Sequence, residues 1–259
     1  MDSDKEKRKY IIDTSAFRPP IPSKRNLVIN NRGEPCLEDN ARSSLSQHSI
    51  LLIELDAFVK GKDTLYLPEV IEENERFLTH LIYQRDFLQT LRMNGDFEEY
   101  QARQTFAENM SDYIRHFRAF NEDFRSRAFS ASKLNPLQSE IYRLAYERAK
   151  VHHKNHDELG EIKTFGDMLD TDRKLIATTV ATAIRQPVVI VSRDKRIVGD
   201  LDRGERGDLQ KVVQDFRFGK KQRRGFNLNP YEIRVYNPSS SDNGFYDAEK
   251  ERVVYERRN

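Results

Sequence analysis

The chain has 259 residues, 33% of them charged and 37% hydrophobic, and a mean hydropathy of −0.80. Its 44 basic and 42 acidic residues nearly cancel, so overall charge neither indicates nor excludes a nucleic-acid partner. The single cysteine excludes an intramolecular disulfide, and no apolar run approaches the roughly 20 residues that span a bilayer. Because the N-terminal residues also lack the apolar segment of a signal peptide, we expect a soluble, cytoplasmic protein with no membrane partner.

The first predicted element is a short strand. Tyr10 to Ile12 are consecutive strand-forming residues, which favours a strand buried on both faces of a parallel sheet. The strand ends at Asp13, which is followed by the hydroxyl side chains of Thr14 and Ser15. Ligands bind beyond the carboxyl ends of strands in open α/β sheets, so this carboxylate is placed for a divalent cation or an anionic substrate. The alternative interpretation is that Asp13 caps the next helix.

A long polar segment follows this strand. From Arg18 to about Asn40 the chain is rich in proline and polar residues, and we expect a loop over the sheet edge with a turn at Asn30–Gly33. The apolar residues between Ser43 and Lys60 predict a short helix.

A second strand and a longer helix come next. Thr64–Leu67 predicts a short strand, and Pro68 can open a helix whose apolar residues share one face. We expect this helix to end near Met93. Its first turns contain four acidic side chains: Glu69, Glu72, Glu73 and Glu75.

The middle of the chain, from about residue 96 to residue 154, has helical character and is unusually charged and aromatic. Its aromatic side chains fall on one helix face, at Tyr113, Phe117, Phe120 and Phe124. We interpret this region as a helical insertion or a small helical subdomain. Its arginines are more typical of a solvated helix surface than of nucleic-acid contacts.

Strands and helices alternate in the last third of the chain. This alternation predicts a single domain over residues 1–259, of the α/β class, with a mostly parallel central sheet flanked by helices. The expected elements are a helix at Leu169–Ile184, a buried strand at Val188–Val191, a helix near Gly207–Gln214, a strand at Tyr231–Tyr236 and a polar tail from about residue 239.

A basic stretch precedes the last of these strands. It contains two phenylalanines, Phe216 and Phe218, beside four cationic side chains: Lys220, Lys221, Arg223 and Arg224. We expect these four cations to contact the phosphates of a nucleic acid. An ordinary basic loop is the alternative interpretation.

Four carboxylates are predicted to meet at one edge of the sheet. Asp13 and Asp194 each follow a buried strand, and parallel neighbouring strands end at the same edge. Asp172, placed in the first turn of the alanine-rich helix, faces that edge in a βαβ layout, and one of the glutamates after Pro68 supplies the fourth acid. Carboxylates this close repel each other unless a cation neutralises them. An all-oxygen ligand set favours Mg²⁺ or Mn²⁺ over zinc.

The order of these motifs resembles the PIN-domain nucleases. The matching runs are Ile-Asp-Thr-Ser, Leu-Pro-Glu-Val-Ile-Glu-Glu, Asp-Arg-Lys-Leu-Ile-Ala-Thr-Thr and Val-Val-Ile-Val-Ser-Arg-Asp. The resemblance covers the first strand, about Thr64–Phe77 and about Asp170–Pro238, roughly half of the chain. It implies a PIN-like fold and a nuclease that uses Mg²⁺ or Mn²⁺ and acts on RNA rather than DNA. The implied catalytic residues are Asp13, Glu73, Asp172, Asp194 and Ser192, and the four acids among them are the implied metal ligands.

Two positions depart from the family's pattern. The family's glutamate on this helix usually lies at a set distance from the proline, and at that distance this chain has Asn74. The local Val-Ile-Glu-Glu pattern instead matches the family at Glu73. On an ideal helix Glu75 lies nearest the apolar stripe and Glu73 points away from it, so Glu72 and Glu75 stay open as alternatives. Many family members also carry an acid two residues after the last aspartate. Arg196 stands there in this chain, which favours one bound metal over two.

The reaction implied by the resemblance is metal-assisted hydrolysis of a phosphodiester bond. The cation would polarise the phosphate and lower the pKa of a bound water, which the carboxylates would orient. The competing hypothesis is a catalytically weak or inactive PIN-like module that binds RNA or a protein. An antitoxin or other protein, and a second copy of the chain, are partners consistent with either hypothesis.

Overall fold

A five-stranded mixed sheet forms the centre of the structure. The computed structural model describes residues 8–16, 27–29, 35–37, 41–91, 97–157, 166–199, 206–218, 231–237 and 251–256. The sheet contains β1 (Lys9–Ile12), β4 (Asp63–Leu65), β5 (Val188–Val191), β6 (Ile233–Tyr236) and β7 (Glu251–Tyr255). Their spatial order is β4-β1-β5-β6-β7, and only β7 runs antiparallel to its neighbour among these strands.

The described residues also form seven helices and a separate two-stranded sheet. The helices are α1 (Ala41–Val59), α2 (Pro68–Thr90), α3 (Phe97–Ser126), α4 (Pro136–Asp157), α5 (Gly166–Ala183), α6 (Lys195–Val198) and α7 (Asp208–Phe218). The small sheet pairs β2 (Leu27–Ile29) with β3 (Pro35–Leu37) in antiparallel fashion. Within the described residues, no helix is both long and apolar enough to cross a membrane. The α/β class and the mostly parallel sheet predicted from the sequence are confirmed.

Helices cover both faces of the sheet. Successive residues of a strand point to opposite faces, so Ile11 and Ile12 enter different cores. Ile12, Val189 and Val191 pack with residues of α1, α2 and α3, whereas Ile11 and Ile190 pack with residues of α4, α5 and α7. All four residues of β5 are buried, which explains why this strand is apolar throughout.

The helices of the predicted insertion belong to these two layers. The aromatic face of α3 is buried against α1 and α2, and α4 packs closely on α5. The segment between α3 and α4 also extends the sheet edge, because Phe129 N donates a hydrogen bond to Tyr66 O at 2.7 Å. Residues 97–157 are therefore part of the two cores, because α3 and α4 cover the sheet together with the other helices.

Two stretches predicted to be irregular contain strands, and these predictions are wrong. β2 and β3 lie within the polar segment predicted to be a loop; the turn predicted at Asn30–Gly33 falls outside the described residues. β7 lies within the predicted polar tail and pairs with β6. Each of these strands has only three to five residues, and polar residues surround them in the sequence, so their short apolar runs did not stand out.

The register between β1 and β5 determines where the predicted site lies. Ile12 pairs with Val191, so both strands end at the same level. Asp13 N then donates to Val191 O at 3.0 Å, which continues the ladder by one residue. Asp13 and Ser192 consequently leave the sheet side by side at its carboxyl end.

Candidate active site

Three hydroxyl groups hold the carboxylate of Asp13. Asp13 is 4% exposed, and its Oδ2 accepts hydrogen bonds from Ser192 Oγ, at 2.7 Å, and from Ser15 Oγ. Thr14 Oγ1 lies 3.3 Å from Asp13 Oδ1. Burial raises the pKa of Asp13, the hydroxyl hydrogen bonds oppose this rise, and the charge of Asp194 adds to it. The alternative role as a helix cap does not apply, because a three-residue 3-10 turn (Thr14–Ala16) follows instead of an α-helix.

The two serines also connect the ends of β1 and β5. Ser15 Oγ accepts from Arg193 N at 2.9 Å, and Ser192 Oγ accepts from Asp194 N at 3.1 Å. The two hydroxyl oxygens lie 3.1 Å apart. Ser192, a predicted catalytic hydroxyl, is fully buried and donates to Asp13, so in this structure it positions that carboxylate.

Asp172 is a second buried carboxyl group of the site with a raised pKa. It is 7% exposed, and its Oδ2 accepts no hydrogen bond from the described residues. Burial raises the pKa of Asp172 to about 8, and the negative charges of Asp13, Asp194 and Glu73 contribute to the rise. Helix α5 begins at Gly166, so Asp172 lies in its second turn rather than in the first turn that was predicted.

Asp194 caps α6 and forms an ion pair with a residue of the same turn. Its Oδ1 accepts from Arg196 N at 2.9 Å, which satisfies a backbone donor of this short helix. Arg196 Nη2 lies 2.6 Å from Asp194 Oδ2 and 3.5 Å from Asp172 Oδ2. The hydrogen bond to Asp194 raises the pKa of Arg196 further above its already high value. A permanently charged guanidinium therefore lies between two of the predicted metal ligands.

The structure brings Glu73 to the site. Glu73 Oε2 accepts a hydrogen bond from Thr14 Oγ1 at 2.9 Å, and the same hydroxyl lies beside Asp13. Glu72 is exposed, and Glu75 pairs with Arg125 at the surface.

The position reached by counting from the proline, Asn74, is fully buried away from the acids. Its Nδ2 donates to Asn121 Oδ1 at 3.0 Å. The buried face of α2 includes Val70 and Phe77, which lie three residues before Glu73 and four after it. Glu73 therefore borders this face on a regular helix. The prediction that Glu73 points away from the apolar stripe is wrong, because the predicted stripe left out the buried Val70 and Phe77.

The donor chemistry of the site suits Mg²⁺ or Mn²⁺, but its arrangement is not that of a formed metal centre. All the side chains that surround Asp13 offer oxygen ligands, and the unpartnered Asp172 Oδ2 is a buried acceptor. Within the part of the chain that the structure describes, however, no group of three or more His, Cys, Asp or Glu could hold a metal ion. Arg196 supplies the positive charge between Asp172 and Asp194 instead.

The structure does not describe the predicted nucleic-acid contacts, but it shows a basic cleft elsewhere. Lys220, Lys221, Arg223 and Arg224 lie outside the described residues. A cleft of about 1660 Å³ lies at the amino end of the sheet, where β1 and β4 begin. Its six cations are Arg8, Lys9, Lys62, Arg127, Lys133 and Arg185. Arg8 and Lys9 belong to the basic start of the chain, whereas the other four cations come from separate segments and form no basic run in the sequence. Two of them already pair with acids of the cleft, Lys9 with Asp63 and Arg8 with Glu232.

Comparison of the chain with protein families, with curated proteins and with solved structures finds no match.

Proposed function

We propose that the chain is a metal-dependent nuclease with a PIN-like fold that hydrolyses phosphodiester bonds, in RNA rather than DNA. The observation that carries the proposal is the convergence of Asp13, Asp172, Asp194 and Glu73 at the carboxyl end of a parallel sheet. Burial, with the negative charges of the other three acids, raises the pKa of Asp172 to about 8, and structural acids seldom meet in this way unless a ligand compensates their charge. The four acids come from four separate elements, so local sequence effects do not explain their meeting.

The residues of the chain have distinct tasks in this proposal. Asp13, Glu73, Asp172 and Asp194 would hold Mg²⁺ or Mn²⁺, which when bound polarises the phosphate and lowers the pKa of a water molecule. Ser15 and Ser192 fix the rotamer of Asp13 by donating to one of its oxygens. Thr14 Oγ1 donates to Glu73 at 2.9 Å and lies 3.3 Å from Asp13 Oδ1, so its hydroxyl holds Glu73 beside Asp13.

Cleavage of labelled single-stranded RNA, compared with DNA of the same sequence, tests the proposal. We expect RNA cleavage with Mn²⁺ or Mg²⁺, none in a chelator, and a loss of about a hundredfold or more in Asp13→Asn. Asp86→Asn is the matched control, because Asp86 is an exposed acid that pairs with Arg85 on α2. Equal cleavage by Asp13→Asn and wild type would refute the assignment of the site.

A second candidate function is a PIN-like module that binds RNA or a protein, such as an antitoxin or a second copy of the chain, with little or no catalysis. The ion pairs of Arg196 favour it, because they neutralise two of the acids without a metal. This function predicts RNA or protein binding that is the same with Mn²⁺ and with chelator, and no RNA product in either condition.

A further inference from the structure

We propose that Arg196 is a tethered cation that competes with a divalent metal for Asp172 and Asp194, and so sets the metal concentration at which the site fills. This inference rests on the proposed function, because it requires these carboxylates to be metal ligands. It concerns the regulation of the site by a residue of the chain itself.

The guanidinium of Arg196 occupies ligand positions that a metal would need. It contacts both oxygens of Asp194, with Nε 3.2 Å from each and Nη2 2.6 Å from Oδ2. Its Nη2 is also 3.5 Å from Asp172 Oδ2, the buried oxygen that accepts no hydrogen bond from the described residues. A metal that coordinates these oxygens must displace the guanidinium from them, since ligand oxygens lie at about 2.0–2.6 Å from such ions.

One guanidinium does not compensate the charge of the site. It carries a single positive charge, whereas Asp13, Asp172, Asp194 and Glu73 can carry four negative charges between them. The pKa of Asp172 stays raised, by burial and by its acidic neighbours, although Arg196 acts to lower it. A divalent cation brings twice the charge, so the cluster still favours metal binding even while Arg196 opposes it.

The backbone of α6 is fixed, so the competition involves only the side chain. Ile197 and Val198 are buried, and their amides donate to Asp194 O at 3.0 Å. A Cβ built on Gly207 would lie 2.2 Å from Ile197 O, which shows how closely the chain before α7 packs on α6. The side chain of Arg196 is 37% exposed and can therefore swing towards solvent without moving this backbone.

Arginine suits this competition better than other cations would. Its guanidinium keeps its charge at every pH at which the protein is folded, and its planar fork matches a carboxylate. Hydrogen bonds to charged groups are strong enough that their loss corresponds to roughly a tenfold to hundredfold change in an equilibrium constant. Removal of the guanidinium is therefore expected to tighten metal binding by about that factor.

Mn²⁺ titration of the full chain, followed by calorimetry or electron paramagnetic resonance, tests the inference without relying on activity. Arg196→Gln keeps the backbone amide that caps α6 and removes the charge, and we expect it to bind Mn²⁺ at least about tenfold more tightly than wild type. Lys195→Gln is the matched control, because it removes one positive charge from the adjacent, exposed position. It is expected to change the affinity by no more than about twofold. Arg196→Lys keeps the charge but loses the fork, so its affinity should fall between wild type and Arg196→Gln.

The outcomes separate this inference from the proposed function. If wild type binds Mn²⁺ and Arg196→Gln binds it equally or more weakly, the competition is refuted while the metal site stands. If no variant binds Mn²⁺, the metal-dependent function is refuted and the competition with it. Should Arg196→Gln fail to fold, as judged by its melting in chelator, Arg196→Lys decides the question: an affinity no higher than that of wild type refutes the competition.

Discussion

Replacement of Asp172 by asparagine should change how the stability of the protein depends on pH. In the folded chain the carboxyl group keeps its proton to about pH 8, whereas its ordinary pKa is 3.8. Between these values the folded state binds more protons than the unfolded state, so the free energy of unfolding falls as the pH rises. The stabilising effect is complete below the unfolded value and is lost as the pH passes through the folded value.

The size of this effect follows from the displacement of the pKa. One pKa unit corresponds to about 1.4 kcal/mol, so a rise from 3.8 to about 8 sets an upper limit of roughly 6 kcal/mol. The side chain is only 10% exposed, so water screens it little in the folded chain, but relaxation of the surroundings reduces the cost of the charge. Between about pH 5 and about pH 8 we expect wild type to lose roughly 2–3 kcal/mol more than Asp172→Asn.

Urea unfolding of both proteins in chelator, at several pH values across this window, measures the effect. The buried amide of Asp172→Asn changes the free energy of unfolding by the same amount at every pH. The difference between the two proteins in the slope of the free energy of unfolding against pH therefore reports the charge of Asp172 alone. Asp170→Asn is the matched control on the same helix. Burial raises the pKa of Asp170, but hydrogen bonds from Lys174 and Tyr146 outweigh burial and lower it, so Asp170 is ionised throughout the window. Parallel curves for Asp172→Asn and wild type would refute the reasoning.

Three further predictions concern the metal, the fourth acid and the nucleic acid. Mn²⁺ should raise the melting temperature of wild type, because it binds only the folded state, and Asp13→Asn/Asp172→Asn should lose this rise and melt higher than wild type in chelator. A rise of equal size in both proteins would contradict the site. Glu73→Gln should slow RNA cleavage by about a hundredfold. Glu75→Gln should slow RNA cleavage little, because Glu75 forms an exposed ion pair with Arg125 at the surface. The reverse pattern would identify Glu75 as the acid. Alanine at four basic positions should weaken RNA binding and flatten its salt dependence, because each phosphate contact releases counterions. Single-turnover cleavage at saturating RNA should not change. An unaltered salt dependence of binding would mean that the basic stretch is an ordinary loop. These positions are Lys220, Lys221, Arg223 and Arg224.

The sequence was informative wherever burial dictates residue type. The fully buried β5 has to be apolar on both faces, so Val188–Val191 was recognisable as a strand. The convergence of Asp13 and Asp194 could also be expected, because parallel neighbouring strands end at the same edge of a sheet. No comparable signal exists for β7, whose Arg252 and Val253 are exposed and whose pairing relies on the backbone.

Features that depend on the direction of a side chain could not be read from the sequence. The contact of Glu73 with Thr14 depends on which face of α2 is buried. That face was hard to predict from the sequence, because it contains the polar residue Asn74. The contact of Arg196 with Asp172 joins residues of two different helices, and the sequence identified Arg196 only as a departure from a pattern. Local spacing carries no information on such contacts.

The two-layer packing of the sheet has a consequence for the newly made protein. Asp13 and Glu73 belong to the first part of the chain to be synthesised, whereas Asp172 lies on α5, in the layer on the opposite face, and Asp194 follows β5, which is made later still. A polypeptide that has emerged from the ribosome only as far as α4 thus contains half of the acids and lacks β5, one of the two strands that flank β1. Under the proposed nuclease function, this order protects the messenger from which the chain is translated, because the acidic site is incomplete until residue 194 has been made.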